Sequence, residues 1–188
     1  MKRGEIRRSS ILLSICSGGA KFERVAQVLH WDGGGWALSA TLEAGLDGVW
    51  GSSGLVWTVG SAGHIWELEG GAWTPQEDQA SGREDLTGLW GSGPTAVWAV
   101  SANGPAAFYG GDQAPWVAAA SVSGLAAVWG TGAEDIWGVG FGGTIVHYDG
   151  SAWKPVSSGT TANLSGVWGS GPNDVWAVGT GGTILHHP

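Results

Sequence analysis

Cysteine, basic residues and long apolar runs are scarce in this sequence of 188 residues. Cys16 is the only cysteine, so an intrachain disulfide is excluded and the fold must be stabilised by packing. No run of about 20 apolar residues is present, which a bilayer-spanning helix would need. The sequence therefore predicts a protein that does not insert into a membrane.

Basic residues are few and unevenly placed. Of the 8 lysines and arginines, six lie in the first 24 positions, and only Arg83 and Lys154 follow. Residues 25–188 contain 14 acidic residues, which gives this part a net charge of −12. Because affinity for nucleic acid comes largely from cations that neutralise phosphates, nucleic acid is excluded as an expected partner.

The first 25 residues differ in composition from the rest. A basic start is followed by the apolar run Ile11–Cys16, which is the order of a secretion signal, but the run is shorter than the usual 7 to 15 residues. Ile15 also departs from the small residue that a lipoprotein signal places before its cysteine. Two interpretations of residues 1–25 stay open, a degenerate export signal or a disordered tail. Export would place the protein outside the cell or on its surface, and a cytoplasmic location is the alternative.

Glycine and tryptophan are abundant. The 36 glycines make up about 19% of the chain, against a usual share near 7%, and each would destabilise a helix interior by about 0.5 to 1 kcal/mol. They show no collagen period, and 14 tryptophans supply more apolar surface than a disordered chain carries. An all-β, turn-rich protein is the class that remains.

Tryptophans recur at a fixed period. Spacings of 40, 39 and 39 residues separate the first series, and 12 of the 14 tryptophans fall in three such series. The series are Trp50, Trp90, Trp129 and Trp168; Trp57, Trp98, Trp137 and Trp176; and Trp36, Trp73, Trp116 and Trp153.

Each repeat is expected to form four short antiparallel strands. In the best-preserved repeat the strands are predicted at residues 127–130, 135–139, 144–148 and 152–156, with glycine-containing hairpin turns between them. Four strands in about 40 residues are typical of a β-propeller blade. The first two tryptophan series are predicted to pack between blades, because stacked blades bury both faces of their inner strands.

A family resemblance supports this fold. The segment 164–186, Leu-Ser-Gly-Val-Trp-Gly-Ser-Gly-Pro-Asn-Asp-Val-Trp-Ala-Val-Gly-Thr-Gly-Gly-Thr-Ile-Leu-His, resembles the tryptophan-rich propeller repeats of large bacterial surface and secreted proteins. The pattern is more distantly similar to tectonin-type lectin propellers. The resemblance covers residues 26–188 and implies a fold, while propellers include lectins, scaffolds and enzymes alike.

The strand count predicts an incomplete or permuted ring. Residues 28–41 match the last two strands of a repeat, residues 46–163 contain three full repeats, and residues 164–188 supply three strands. Four blades are therefore visible. Either residues 34–40 complete the last blade beside residues 164–187, or the chain is a fragment of a larger ring. Unpaired strand edges in a fragment would favour association.

Histidines and aspartates recur with the repeat. His30, His147 and His186 share the third-strand position, but residues about 39 apart in successive blades do not converge on one metal ion, so no metal site is predicted. Asp135 and Asp174 recur before the second strand, where we expect their carboxylates to accept backbone N–H groups of a turn. The repeat-locked side chains are thus predicted to be structural.

No catalytic or cofactor motif is present. The segments 140–143 and 179–182 are glycine-rich, but strands follow them, whereas a phosphate loop precedes a helix. No nucleophile elbow occurs, and paired carboxylates could come only from Glu77, Asp78, Glu84 and Asp85. We expect no enzyme activity and no cofactor.

The expected function is noncatalytic recognition of a glycan or a protein on one face of the propeller. Variable connections at residues 38–46, 76–86, 118–125 and 157–164 are predicted to lie on that face, where specificity usually resides. Phe141, at a hairpin tip, is the favoured contact, and Arg83, Glu84 and Asp85 form a second candidate set. A protein-interaction scaffold or a structural repeat region of a larger surface protein is the alternative, and a glycan-active enzyme is less favoured.

Overall fold

The computed structural model describes residues 11–16, 25–76, 82–111 and 115–188. The chain divides into two compact units, one up to Leu46 and one from Asp47 to Pro188. Among the described residues all regular structure is β-strand, apart from three single 3₁₀ turns at Ser61–Gly63, Phe141–Gly143 and Thr180–Gly182. No helix in this part of the chain is long and apolar enough to cross a membrane.

The first compact unit contains a three-stranded antiparallel sheet, β1-β2-β3. Its strands are β1 (Ile11–Cys16), β2 (Val25–Trp31) and β3 (Trp36–Leu42). The hairpin between β2 and β3 is closed by Asp32, whose Oδ1 accepts the backbone N–H groups of Gly34 and Gly35 at 2.7 and 3.0 Å. These hydrogen bonds hold the pKa of Asp32 below its ordinary value, because they favour the ionised carboxylate.

The second compact unit consists of four sheets in chain order. Blade 1 contains β4 (Leu46–Ser52), β5 (Leu55–Gly60), β6 (Ile65–Glu69) and β7 (Ala72–Gln76), and blade 2 contains β8 (Leu86–Gly93), β9 (Ala96–Ser101), β10 (Pro105–Tyr109) and β11 (Val117–Ser123). Blade 3 contains β12 (Leu125–Gly132), β13 (Asp135–Gly140), β14 (Ile145–Tyr148) and β15 (Trp153–Val156). Blade 4 contains β16 (Leu164–Gly171), β17 (Asp174–Gly179) and β18 (Ile184–His187). Sequential strands are neighbours in every sheet, so each blade is a meander.

The apolar core lies between successive blades. One cluster joins the Trp57 face of blade 1 to Leu86 and Trp116 of blade 2, and the next joins the Trp98 face of blade 2 to Leu125 of blade 3. Trp57 is fully buried, and Trp98 and Trp137 are 7% and 6% exposed. The prediction that the second tryptophan series packs between blades is confirmed for these three residues.

The first tryptophan series packs on a glycine of the following blade. A Cβ atom at Gly91, Gly130 or Gly169 would lie only 2.6 to 2.9 Å from a ring atom of Trp50, Trp90 or Trp129, respectively. Such a distance is too short for a real side chain, so glycine is required wherever a tryptophan of the previous blade crosses the inner strand. Trp168, in blade 4, is 62% exposed.

The strand assignments differ from the sequence predictions in three places. Residues 11–16, which we assigned to the leader, form β1, since Ile and Leu side chains suit a strand. Residues 118–123 belong to β11 and residues 38–42 to β3, so these two predicted connections shrink to Gly124 and residues 43–45. A bulge between Pro105 and Ala106 gives β11 its extra length.

The predicted fourth strand of the last blade is not formed by residues 34–40. Most of that segment belongs to β3, which pairs with β2 through the tight Asp32 hairpin. Among the described strands, β18 has β17 as its one neighbour. The described residues thus contain 18 strands in five sheets, where the sequence predicted 17 strands.

Candidate functional site

The turns between second and third strands lie at the same end of the blades as the connections between blades. We call this end the loop face. Gly142 N donates to Asn163 Oδ1 at 2.9 Å, and Phe141 N donates to the carbonyl oxygen of Gly124 at 3.3 Å. Thr180 N donates to the carbonyl oxygen of Asn163 at 2.8 Å. These hydrogen bonds tie the turns of blades 3 and 4 to the connections beside them.

Phe141 is presented by the turn Phe141–Gly143. Gly142 and Gly143 have φ values of 62° and 76°, a region that a side chain rarely adopts, and this backbone leaves the preceding Phe141 ring 49% exposed. The structure therefore places Phe141 at an exposed hairpin tip, as the sequence predicted. Whether it contacts a ligand stays a prediction.

An open groove of about 750 Å³ lies beside the Phe141 turn. The turn and β14 form one side, and the end of β15 with residues 157–161 forms the other. Its lining combines the apolar Ile145 and Val156 with hydroxyl groups such as those of Ser158 and Thr160. Ser158 Oγ donates to the carbonyl oxygen of Thr160 at 3.2 Å and accepts its N–H at 3.3 Å, which fixes the connection's shape.

Arg83, Glu84 and Asp85 also lie on the loop face, but at a different blade. Asp85 Oδ1 accepts the backbone N–H of Ala62 at 2.8 Å and so holds the Ser61–Gly63 turn, the position that Asn163 fills for the Phe141 turn. Arg83 and Glu84 are exposed, and Arg83 has a φ of 68°. Asp85 thus stabilises the turn of the preceding blade. Ligand binding by Arg83, Glu84 and Asp85 stays a prediction. Glu77 and Asp78 lie outside the described residues.

Asp135 organises a partly buried cluster of side chains within blade 3. Its Oδ1 accepts the indole N–H of Trp137 at 3.1 Å and faces His147 Nε2 at 2.7 Å, while its Oδ2 accepts the hydroxyl of Thr131. The His147 ring stacks on Trp137, with ring centroids 4.3 Å apart. The carboxylate therefore binds three side chains, whereas the sequence analysis expected backbone N–H groups.

Blade 4 repeats this cluster with Asp174, Trp176, His186 and Ser170. The other two blades lack both the aspartate and the histidine. In blade 1, Leu55 replaces the aspartate and Glu67 replaces the histidine, and in blade 2 the corresponding residues are Ala96 and Phe108. Aspartate and histidine are therefore present together or absent together. The predicted structural role of His147 and His186 is confirmed by these contacts.

The hydrogen bonds shift the acidity of both aspartates. Burial raises the pKa of Asp135, but the bonds from Thr131, His147 and Trp137 outweigh it and hold that pKa below its ordinary value. The pKa of Asp174 is lowered by hydrogen bonds from Ser170, Trp176 and His186. Both groups are thus carboxylates at neutral pH. Within the described residues, no group of three histidine, cysteine, aspartate or glutamate side chains could hold a metal ion.

A cavity between blades 3 and 4 was not predicted from the sequence. It has a volume of about 180 Å³, is mainly apolar, and is lined by Trp137, Val139, Ile145, Leu185 and His187 among others. It opens beside β18, the last strand of the three-stranded blade 4.

The fold is that of a partial β-propeller, as the sheet order and the stacking of successive blades show. Similar solved structures support this assignment. No protein-family model matches the chain, and the comparison with curated proteins gives no match. YCF48 from Cyanidioschyzon merolae is similar with a TM-score of 0.64 and 16% identity over 88% of this chain. The chain spans 61% of that protein's length.

Two further solved structures share this fold. YCF48 bound to D1 peptide has a TM-score of 0.65 at 13% identity, over 87% of this chain and 61% of its own. The computationally designed Ika4 protein has a TM-score of 0.63 at 15% identity, over 77% of this chain and 91% of its own. At these identities the likeness concerns the fold alone.

Proposed function

We propose that this chain is a noncatalytic recognition module that binds a segment of another protein on the loop face. The groove beside the Phe141 turn carries the proposal. Its lining combines apolar side chains with hydroxyl groups on a connection that differs from blade to blade, and the exposed Phe141 ring belongs to the turn that borders it. Loops of this kind on a rigid scaffold are where binding specificity usually resides. The YCF48 structure with a D1 peptide adds support by fold analogy.

The first prediction concerns Phe141. On an array of random peptides, the tightest binder should lose at least about tenfold in affinity with the Phe141→Ala variant, because exposed aromatic anchors supply most of the binding energy of such surfaces. Val117→Ala is the matched control, since Val117 is a 53% exposed apolar residue on the outer strand of blade 2. It should change affinity less than twofold. Equal losses for both variants would contradict a site at the Phe141 turn.

A glycan is the second candidate ligand, favoured by the same exposed ring, which could stack on a sugar face. A glycan array with the wild-type chain separates the two candidates. Binding to a defined sugar that disappears with Phe141→Ala would replace the protein ligand. Silence on the glycan array together with peptide binding would support the proposal as stated.

The proposal also places the protein outside the cell or on its surface and assigns it no catalysis. Fractionation of the native cells with an antibody tests the location. A turnover detected in the wild-type chain and abolished by joint replacement of Glu77, Asp78, Glu84 and Asp85 would contradict the noncatalytic assignment.

A further inference from the structure

The groove beside the Phe141 turn has an uncharged lining. Residues 142–146 and 155–161 form it, and none of them is acidic or basic. Lys154, the cation next to this lining in sequence, contacts the carboxylate of Asp149. The rest of the chain is strongly acidic, since residues 25–188 carry a net charge of −12. The groove is therefore an uncharged patch on an acidic protein.

Hydroxyl groups supply the polar part of the lining. Thr144 Oγ1 donates to the carbonyl oxygen of Phe141 at 2.7 Å, and Ser158 Oγ donates to that of Thr160 at 3.2 Å. Each hydroxyl thus uses its hydrogen within the protein and keeps acceptor capacity on its oxygen. Such oxygens suit the backbone N–H groups of an extended peptide, while the apolar part of the lining suits apolar side chains.

Asn163 holds the turn at the edge of this groove. Its Oδ1 accepts the N–H of Gly142, a lining residue, at 2.9 Å. An N–H group can only donate, so the amide oxygen faces Gly142 and the amide NH₂ group lies on the other side. The backbone of Asn163 is held as well, because its N–H donates to Thr180 Oγ1 at 3.1 Å and its carbonyl oxygen accepts the N–H of Thr180 at 2.8 Å. The side chain is therefore fixed beside the groove and adds no charge to it.

Other blades hold the same turn with a different acceptor. In blade 1 the carboxylate of Asp85 accepts the N–H of Ala62 at 2.8 Å, and in blade 2 the hydroxyl of Ser101 accepts the N–H of Gly104 at 2.9 Å. The turn thus forms with a charged or a neutral acceptor alike. An asparagine at position 163 is not required by the turn, and what it changes relative to aspartate is the charge beside the groove.

We infer that the loop-face groove takes a peptide segment whose side chains are uncharged where they lie in the groove, and that Asn163 determines this specificity. This specificity rests on the proposed function, because it names the class of segment that the loop face binds. A lysine or glutamate placed against the lining would lose water and meet no opposite charge, which is unfavourable. Apolar and small polar side chains lose less and can use the apolar and hydroxyl groups present.

The test compares binders on an array of random octapeptides with blocked termini. Groove binders are the peptides that the full wild-type chain captures and the Phe141→Ala variant does not. We expect Asp, Glu, Lys and Arg in their central positions at less than about half the frequency on the array, because desolvating an unpaired charge is costly. Charged residues at the full frequency of the array would overturn the inference.

Asn163→Asp should change the specificity while keeping an acceptor for the turn, as Asp85 does in blade 1. Lysine and arginine should become at least about threefold more frequent in groove binders than in the wild-type set, because a carboxylate then borders the groove. Asn103→Asp is the matched control, since Asn103 is an exposed residue in the corresponding turn of blade 2. It adds the same charge to the loop face and should leave the groove binders unchanged. A change of equal size in both variants would contradict the role of Asn163.

Asn163→Ala separates the holding of the turn from the charge preference. Loss of the acceptor for the Gly142 N–H should weaken groove binders by a similar factor whatever their sequence, and the preference for uncharged side chains should persist, because alanine is uncharged too. Melting temperatures show whether each variant is folded. If no captured peptide depends on Phe141, the proposed function and this specificity are both wrong, whereas Phe141-dependent binders rich in charged residues would contradict the specificity alone.

Discussion

At the scale of single residues, the contact of tryptophan with glycine explains why both are abundant. The ring of a tryptophan in one blade reaches the inner strand of the next, and any side chain at Gly91, Gly130 or Gly169 would collide with it. The large ring supplies the buried area and the glycine supplies the space. A smaller residue in place of the tryptophan would leave a void, and a larger residue in place of the glycine would cause a collision. The dipeptide Trp-Gly therefore recurs in the inner strand of each blade.

The residue-scale prediction compares two neighbouring glycines. Gly130→Ala should lower the free energy of unfolding by about 1 to 3 kcal/mol, because its Cβ would lie 2.9 Å from the Trp90 ring and 2.6 Å from the carbonyl oxygen of Asp135. Gly132→Ala is the control, since a Cβ there meets no heavy atom within 4 Å. Urea unfolding of both variants measures the difference, and a similar loss in both would contradict the packing argument.

At the scale of strands and turns, local sequence predicted most of the fold. The four strands of blade 3 lie within two residues of their predicted bounds, because glycine-rich turns and apolar runs define them locally. The assignments that failed depended on partners outside the local segment: β1 pairs with β2, and β11 extends through a bulge against β10. The cavity beside Trp137 was missed for the same reason, since it is formed by two blades.

The cluster around Asp135 gives a prediction at this scale, because it joins β12, β13 and β14. The pKa of Asp135 is lowered in the folded protein. The ionised carboxylate therefore stabilises the fold fully at pH values above the unfolded-state pKa of about 3.9, and this stabilisation is lost as the pH falls through the folded-state pKa. Asp135→Asn should therefore cost about 1 to 2 kcal/mol at pH 7 and progressively less below about pH 4. Urea unfolding at a series of pH values measures this.

Glu134→Gln provides the matched control for that experiment. Glu134 is an exposed neighbour with the same change of charge. Its replacement should leave the free energy of unfolding within about 0.5 kcal/mol at either pH. If Asp135→Asn destabilised the protein equally at pH 7 and pH 3, the cluster would stabilise through packing and not through the ionised carboxylate.

At the scale of the second compact unit, each blade packs on its chain neighbours, as in repeat proteins whose stability is a sum of local and nearest-neighbour terms. Blade 3 has blades on both sides, while blade 4 leaves Trp168, Val178 and Ile184 exposed at 62%, 46% and 64%. A change at one interface is therefore expected to lower the stability of the two blades that form it. The loop-face groove lies at blade 3.

Two equivalent leucines test this dependence on neighbouring blades. Leu125 and Leu164 begin the inner strands of blades 3 and 4, and both are almost fully buried, at 0% and 1% exposure. Each replacement by alanine removes the same atoms, which in a core costs about 2 to 5 kcal/mol. Leu125→Ala interrupts the interface of blades 2 and 3, so the loss should appear as faster hydrogen exchange across blades 2, 3 and 4. Leu164→Ala interrupts the interface of blades 3 and 4, where Leu164 packs with Val139, so it should accelerate exchange in β13, β16, β17 and β18 while β9 of blade 2 keeps its protection. Hydrogen exchange with mass spectrometry resolves these strands, and identical exchange patterns in the two variants would mean that the blades unfold as one cooperative body.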